Sequence, residues 1–302
     1  PLPAGTDTVV MQEHTETTPE GLVRIGTGHR LGQNVRQVGE DMAAGQTILA
    51  AGRRLTPADL GLLASLGKAE VKAYRPVRVA FFSTGDELRS IDDPLDQGCV
   101  YDSNRYTLFG LLKNLGLEVV DLGVVKDEPV ALQAAFKMAA ESADVVITSG
   151  GVSVGEADYT KSILDQLGVI NFWKIAIKPG RPLAFGKLGD TLFFGLPGNP
   201  VAVMVTFQQI VQPALLYLAG DTNYQPLVVQ VRSIQKLKKK AGRTEFLRAI
   251  YEPDAAGNLT VRAAGAQGSG MLLSMSRANC YMILDEENAG VEVGDWVKVQ
   301  PF

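Results

Sequence analysis

Apolar and polar positions along this chain change rhythm twice. From Val77 onward, short and nearly unbroken apolar runs at Val77–Phe82, Glu118–Leu122 and Asp144–Thr148 alternate with longer amphipathic stretches. Runs of this kind predict strands buried on both faces of a parallel sheet, with the stretches between them as right-handed crossover helices. Asp102-Ser103-Asn104 opens a helix to Leu115 that stops at Gly116, and Asp127-Glu128-Pro129 opens another to about Glu141. Thr160–Leu167 is a third helix, and Asn199 caps a long apolar helix, Pro200–Tyr217, with Pro200 in its first turn. Asn171–Ile177 reads as a strand, and Pro182–Gly186 with Thr191–Phe194 as a further strand or hairpin. Residues 76–222 are therefore expected to form a doubly wound α/β domain.

The rhythm differs on both sides. In residues 1–40, Thr8–Gln12 and Leu22–Ile25 predict short strands around a turn through Pro19 and Gly21, followed by a loop at Gly26–Gly32. This is the pattern of part of a β-rich domain whose other strands are expected to precede Pro1. Residues 41–75 form a linking α+β segment: a turn and strand at Gly45–Ala50, a helix capped by Thr56 with Pro57 next and Gly67 as its stop, and a strand at Val71–Tyr74. In residues 223–302, Leu227–Val231, Glu245–Tyr251, Leu259–Arg262, Cys280–Leu284 and Trp296–Gln300 predict a small β-barrel or sandwich. The fold class is α/β plus β, a central doubly wound domain with β-rich flanks.

Composition narrows the function. The 302 residues are 46% hydrophobic and 21% charged, as in ordinary globular chains, and the formal net charge of −4 argues against nucleic acid as a partner. Cys99 and Cys280 lie far apart, and His14 and His29 are the only histidines, so a thiolate or multi-histidine metal centre is excluded. No apolar run reaches membrane-spanning length and no signal peptide is evident, so a cytoplasmic location without membrane contact is expected.

In open α/β sheets ligands bind beyond the carboxyl ends of the strands. Five unusual loops are expected there: Ser83–Glu87, the segment at Asp127, Thr148–Asp158, Lys178–Pro182 and Leu196–Pro200, the last including Pro197 and Asn199. Each alone is an acceptable turn or cap; together they favour a site. The stretch Thr148–Tyr159, with Gly150, Gly151, Ser153 and Gly155 between a strand and a helix, suits a phosphorylated ligand. The acids Asp86, Glu87, Asp127, Glu156 and Asp158 would repel a bare phosphate and make sense with a bridging Mg²⁺. The bases Lys174, Lys178 and Arg181 form a second set; on one alternating strand Lys174 and Lys178 share a face and suit a second anion, or mark an exposed edge strand. Lys236–Lys240 reads as a solvated basic turn ending at Arg243, Arg248 sits within a strand, and Ala266–Gly270 is a second Gly/Ser loop.

Ser83-Thr84-Gly85-Asp86-Glu87-Leu88, Ser149–Tyr159, Lys178-Pro179-Gly180-Arg181-Pro182 and Leu196-Pro197-Gly198-Asn199-Pro200, in this order and spacing, resemble the molybdopterin molybdenumtransferases, the MoeA proteins, which are related to the E domain of gephyrin. The likeness also takes in Gly39-Glu40-Asp41 and Gln267-Gly268-Ser269. It implies a central domain of the molybdopterin-binding type and an enzyme that takes adenylylated molybdopterin and molybdate, cleaves the adenylate, inserts molybdenum and releases AMP, with Mg²⁺ as its metal. Carried over by position, Asp86, Glu87, Asp127 and Asp158 would serve metal and phosphate chemistry. Gly150, Gly151, Ser153 and Gly155 would line the pterin-phosphate loop, and Lys174, Lys178, Arg248 and Ser269 would hold molybdate. Asp41 would lie where a partner subunit contributes, since the resemblance implies a homodimer, with contacts to the preceding adenylyltransferase and to molybdoenzyme maturation proteins. The family's Asn-x-x-Met-Asp-Gly-Tyr and Thr-Gly-Ala-Pro segments fall before the equivalent of Pro1, so their acid and threonine would join the site from outside these residues. The family's serine after Asn-Pro-Val is Ala202 here, which removes one hydroxyl donor.

Three other readings share these features: a molybdopterin adenylyltransferase, which would need ATP recognition; a non-catalytic scaffold of the gephyrin E-domain kind; and a binder of sugar or nucleotide phosphates on the same fold.

Overall fold

In the computed structural model, the described residues are 2–151 and 159–302; Val152–Asp158 and Pro1 fall outside them, as do the side chains of Tyr159 and Phe172. Residues 1–51 and 52–302 form two compact units. In the first, strand β1 (Thr15–Thr17) pairs antiparallel with β2 (Val23–Ile25). The strand expected at Thr8–Gln12 forms instead at Thr15–Thr17, because the turn closes on Thr18, whose carbonyl accepts from Gly21 N–H and whose N–H donates to the Leu22 carbonyl. Thr8–Met11 has no strand partner; Val9 N–H donates to the Gln33 carbonyl instead.

The second unit opens with helix α1 (Pro57–Ser65), fixed by a capping box in which Asp59 N–H donates to Thr56 Oγ1 and Thr56 N–H to Asp59 Oδ2. The strands expected at Gly45–Ala50 and Val71–Tyr74 do not form. Next come β3 (Arg78–Thr84), the short parallel pair β4 (Leu88–Arg89) and β5 (Val100–Tyr101), α2 (Ser103–Asn114), β6 (Glu118–Val125), α3 (Pro129–Ser142), β7 (Val145–Ser149), α4 (Tyr159–Leu167), β8 (Gly168–Lys174) and β9 (Ile177–Lys178). The hairpin β10 (Pro182–Leu188) and β11 (Thr191–Leu196) leads into α5 (Pro200–Thr206), a π-helical turn at Phe207–Val211, and α6 (Gln212–Leu218).

The central sheet has the order β6-β3-β7-β11-β10-β8. It is mixed: the strands up to β7 are parallel as expected, and the further strand or hairpin expected at Pro182–Gly186 and Thr191–Phe194 is a hairpin. The two-residue link Gly189-Asp190 is long enough only for a hairpin, so β10 runs antiparallel to β11, and it also pairs antiparallel with β8. Alternation along the strands fills both faces. Val79, Phe81, Val145 and Ile147 pack toward α2 and the α5–α6 helix through Leu108, Leu112, Val203, Phe207 and Leu215. Ala80, Phe82 and Val146 pack toward α3 and α4 through Leu132, Phe136, Ile163 and Leu164. Phe136 meets Phe82 and Phe193 edge-on at centroid distances of 5.1 and 5.8 Å.

The helix expected as one piece across Pro200–Tyr217 is interrupted by the π turn, because Pro213 has no N–H for the carbonyl four residues back. Pro200–Leu218 is long and apolar enough to cross a membrane, against the sequence expectation. Val203, Phe207, Val211 and Leu215 instead lie in the core beside the sheet.

The last part of the unit contains β12 (Val229–Ser233), β13 (Leu237–Lys238), β14 (Thr244–Pro253), β15 (Leu259–Ala263), α7 (Leu272–Arg277), β16 (Cys280–Leu284), β17 (Gly290–Val291) and β18 (Trp296–Pro301). The order β15-β12-β18-β16-β14, with β14 also paired to β15, closes a five-stranded barrel. Its two joints to the α/β part shape the site. Strand β9 adds parallel to the start of β14, and Val201 and Val205 of α5 pack with Phe246, Met275 and Tyr281. The basic turn is not wholly solvated: Lys239 is buried, and its Nζ donates to the carbonyls of Lys240, Glu286 and Asn288.

Candidate active site

Every strand of the central sheet whose carboxyl end points the same way delivers a loop to one cleft of about 1140 Å³. Thr84, Gly85 and Glu87 come from the end of β3, Asp127 from beyond β6, Gly150 and Gly151 from β7, Lys178 through Arg181 from beyond β8, and Pro197 through Pro200 from β11. Gln267, Gly268 and Ser269 close it from the barrel. All five loops expected to converge have described residues in this cleft, the Thr148–Asp158 loop through Gly150 and Gly151.

The glycine turn is dictated by space. Gly150 has φ +90°, and a Cβ there would collide with the Thr84 carbonyl oxygen; at Gly151, φ +66°, a Cβ would lie 2.8 Å from Thr160 Oγ1. The Gly150 N–H, expected to face a ligand, donates to the Leu196 carbonyl at 3.1 Å and ties the turn to the Pro197–Pro200 loop. Ser153, Gly155, Glu156 and Asp158 lie outside the described residues.

On the acidic flank, Asp127 N–H donates to Asp86 Oδ1 at 3.4 Å, and burial followed by the charges of Asp86 and Glu87 pushes the Asp127 carboxyl above the usual range. Asp86 itself is exposed and is not among the residues that line the cleft. Among the described residues, no three His, Cys, Asp or Glu side chains group closely enough to hold a metal ion by themselves.

On the basic flank, Lys178 Nζ is held by both carboxylate oxygens of Glu245 at 3.2 Å. Glu245 is buried and Lys178 half-exposed, so a barrel strand aims an α/β-domain ammonium at the cleft. Arg181 and Arg243 line the same cleft. Lys174 does not. Strand β8 ends at Lys174, Ile175 N–H turns to the Arg181 carbonyl, and Lys178 belongs to β9 in the barrel sheet, so the two lysines do not share a strand face. Arg248 also fails to reach the cleft. It is fully buried; its Nη2 donates to the carbonyls of Ala266 and Gly268 and its Nε to Ser274 Oγ, so it holds the loop bearing Ser269. The Ser269 carbonyl in turn accepts from Val201 N–H at 3.0 Å. Asn199 does not cap α5 with its side chain, which lies in the cleft wall. Ala202 of α5 lines the cleft with a methyl. Asp41 is exposed in a bend of the first unit.

Sequence reasoning missed three residues that line the cleft, Arg243, Asp102 and Asn104, and one that holds a lining residue, Glu245. Glu245 and Arg243 were hidden in a strand and a turn, with no local signal that β9 would pair with β14. Asp102 and Asn104 read only as a helix start.

Three family models together cover most of the chain: a MoeA N-terminal region over residues 1–67, a probable molybdopterin binding domain over 80–217 and a MoeA C-terminal region over 230–302. The molybdopterin molybdenumtransferase of Haemophilus influenzae is 45% identical over 302 residues, spanning 100% of this chain and 75% of its own. The chain belongs to the molybdopterin molybdenumtransferase family. That is a family of transferases of molybdenum cofactor biosynthesis. The molybdopterin molybdenumtransferase of a Nostoc species is 39% identical over 94% of this chain and 66% of its own, and gephyrin of Dictyostelium discoideum is 33% identical over 98% of this chain and 46% of its own. A crystal structure of the molybdopterin biosynthesis MoeA protein of Pyrococcus horikoshii superposes with a TM-score of 0.79 at 27% identity, covering 99% of this chain and 73% of that one. The family membership expected from the loop motifs stands, and so does the α/β-plus-barrel fold.

Proposed function

We propose that the cleft takes adenylylated molybdopterin and molybdate, breaks the phosphoanhydride link with water so that AMP and the pterin phosphate separate, and passes molybdenum to the pterin dithiolene, the two thiol protons leaving with one molybdate oxygen as water. The observation that carries this reading is the sorting of charge within one cleft: Glu87 and Asp127, backed by Asp86, on one flank, and Lys178, Arg181 and Arg243 on the other. Molybdate is a tetrahedral dianion, and the two arginines, the ammonium and the Ser269 hydroxyl are donors suited to it. Glu245 keeps Lys178 in place before the anion arrives.

Burial, and after it the charges of Asp86 and Glu87, raise the Asp127 carboxyl, and a divalent cation would favour its ionised form. Mg²⁺ commonly takes only one or two carboxylates and completes its shell with phosphate oxygens and water, so the described acids fit it without a closed cage. Glu87 and Asp127, which line the cleft, would hold it, with Asp86 and Asp158 as the further acids of this reading. When bound it supplies charge neutralisation at the leaving phosphate. The chain's own residues bind and orient: the Gly150–Gly151 turn lets the phosphate approach the sheet edge, and Pro197 and Asn199 wall the same side. A homodimer in which Asp41 reaches a partner's cleft, and contact with the preceding adenylyltransferase and with maturation proteins, belong to the same proposal.

The test is product analysis. With adenylylated molybdopterin, molybdate and Mg²⁺, AMP and a molybdenum-bearing pterin are expected in equal amounts. Formation of adenylylated pterin from ATP and molybdopterin would instead make this the preceding enzyme.

A further inference from the structure

Helix α2 starts at the cleft, and two polar side chains at its start each keep one oxygen without a partner among the described residues. Asp102 is the N-cap; its Oδ1 accepts from Arg105 N–H at 3.1 Å, while its Oδ2 has no partner among the described residues although Asp102 is only 1% exposed. Two residues on, Asn104, 6% exposed, donates its amide nitrogen to Ser149 Oγ and to the Gly198 carbonyl, both at 2.7 Å. A carbonyl oxygen only accepts, so the Gly198 bond fixes which way the amide points and leaves Oδ1 as the atom without a partner among the described residues. Both residues line the cleft. Buried acceptors are almost always satisfied in native proteins, and exceptions at a site call for a ligand that brings donors.

The chemistry of that ligand is constrained. A metal ion is disfavoured because no metal-holding group of side chains exists among the described residues. A hydroxyl would serve as donor or acceptor and would not select for two acceptors. What two oxygen acceptors select is a pair of adjacent N–H donors. A pterin carries such a pair, the ring N–H and exocyclic amino group of its aminopyrimidinone, on the edge that bears neither phosphate nor dithiolene.

Resting on the function proposed above, we infer that Asp102 and Asn104 receive the aminopyrimidinone edge of the pterin and so orient the substrate in the cleft. The Ser149 and Gly198 bonds to Asn104 make this acceptor part of the two loops, after β7 and β11, that shape the phosphate end. Ring recognition and phosphate placement are thereby coupled through one side chain.

Asp102→Asn keeps a good helix cap but replaces the free acceptor with an amide, and Asp102→Ser keeps the cap and deletes it. Isothermal titration of each variant with adenylylated molybdopterin and, separately, with AMP reads the effect. A drop of about tenfold or more in affinity for adenylylated molybdopterin is expected, with AMP affinity within about twofold of wild type, the size of change that losing a hydrogen bond to a charged group brings. If either folded variant binds adenylylated molybdopterin as wild type does, or loses AMP affinity in parallel, the ring-recognition role is wrong while the proposed function stands. If the wild-type protein does not bind adenylylated molybdopterin at all, both fall. Asp102→Ser decides the matter should Asp102→Asn not fold.

Discussion

Lys178 illustrates what a single residue contributes and how it is controlled. Its ammonium is the half-exposed end of an ion pair whose other end, Glu245, is buried. Lys178→Ala is expected to weaken molybdate binding by about tenfold or more while AMP affinity changes by less than about twofold, measured by direct titration. An unchanged molybdate affinity would remove Lys178 from the anion site. Asp127 works through its surroundings. Burial and the charges of Asp86 and Glu87 raise its carboxyl pKa above the ordinary value, so its ionised form opposes folding. Protonation favours the folded state fully below the unfolded pKa, and that advantage is lost as pH rises through the raised folded value. Asp127→Asn is therefore expected to raise Tm at neutral pH, to show a shrinking difference from wild type on acidification, and to lose AMP release. A variant less stable than wild type at pH 7 would contradict the electrostatic picture. The acids and the glycine turn were legible in the sequence because strand ends and glycines carry local signals. Arg248 misled because an arginine inside a strand looks the same whether it faces a ligand or, as here, holds a loop by two carbonyls.

At the scale of elements, the barrel joint decides where the cations stand. Strand β9 leaves the central sheet after Lys174 and joins β14, so Glu245 can reach Lys178. Glu245→Gln keeps the shape but removes the charge that aims Lys178. A rise of several-fold in the KM for molybdate with little change in kcat is expected, since the lost ion pair positions rather than reacts. Equal effects on both constants would assign Glu245 a different role. At the opposite end of the sheet, Asp144 precedes β7 and ties down the start of β3: both oxygens accept from Arg75 at 2.7 Å, and Oδ2 also accepts from Arg78 N–H at 2.9 Å. The Arg75 hydrogen bonds hold its carboxyl down to about 2. That stability is present above the unfolded value of 3.8 and is lost as pH falls through about 2. Asp144→Asn is expected to lower Tm at neutral pH, to converge on wild type between those values, and to leave AMP release unchanged, being remote from the cleft loops. The five barrel strands and the alternation of the central sheet were readable from period alone. The departure of β9 was not, because Asn171–Ile177 keeps one alternating pattern across a break made by Ile175 N–H turning to Arg181.

For the whole molecule, the central claim is that one cleft sorts opposite charges for two anionic substrates. The sheet topology makes this economical: strands β3, β6, β7, β8 and β11 all end at one edge, and the barrel, joined through β9 and α5, closes it from above with Ser269 and Arg243. That edge was foreseeable from the strand-then-loop order of the sequence. The barrel's share was not, since it depends on pairing between residues 67 positions apart, as in Lys178 with Glu245. The measurement that tests the claim most directly is a crystal structure of the protein with molybdate and AMP, using anomalous scattering at the molybdenum edge. The account expects a molybdenum peak within hydrogen-bonding reach of Lys178, Arg181, Arg243 or Ser269, and the AMP phosphate in the same cleft on the side of Glu87 and Asp127. A molybdenum peak outside this cleft, or AMP bound elsewhere on the chain, would contradict it.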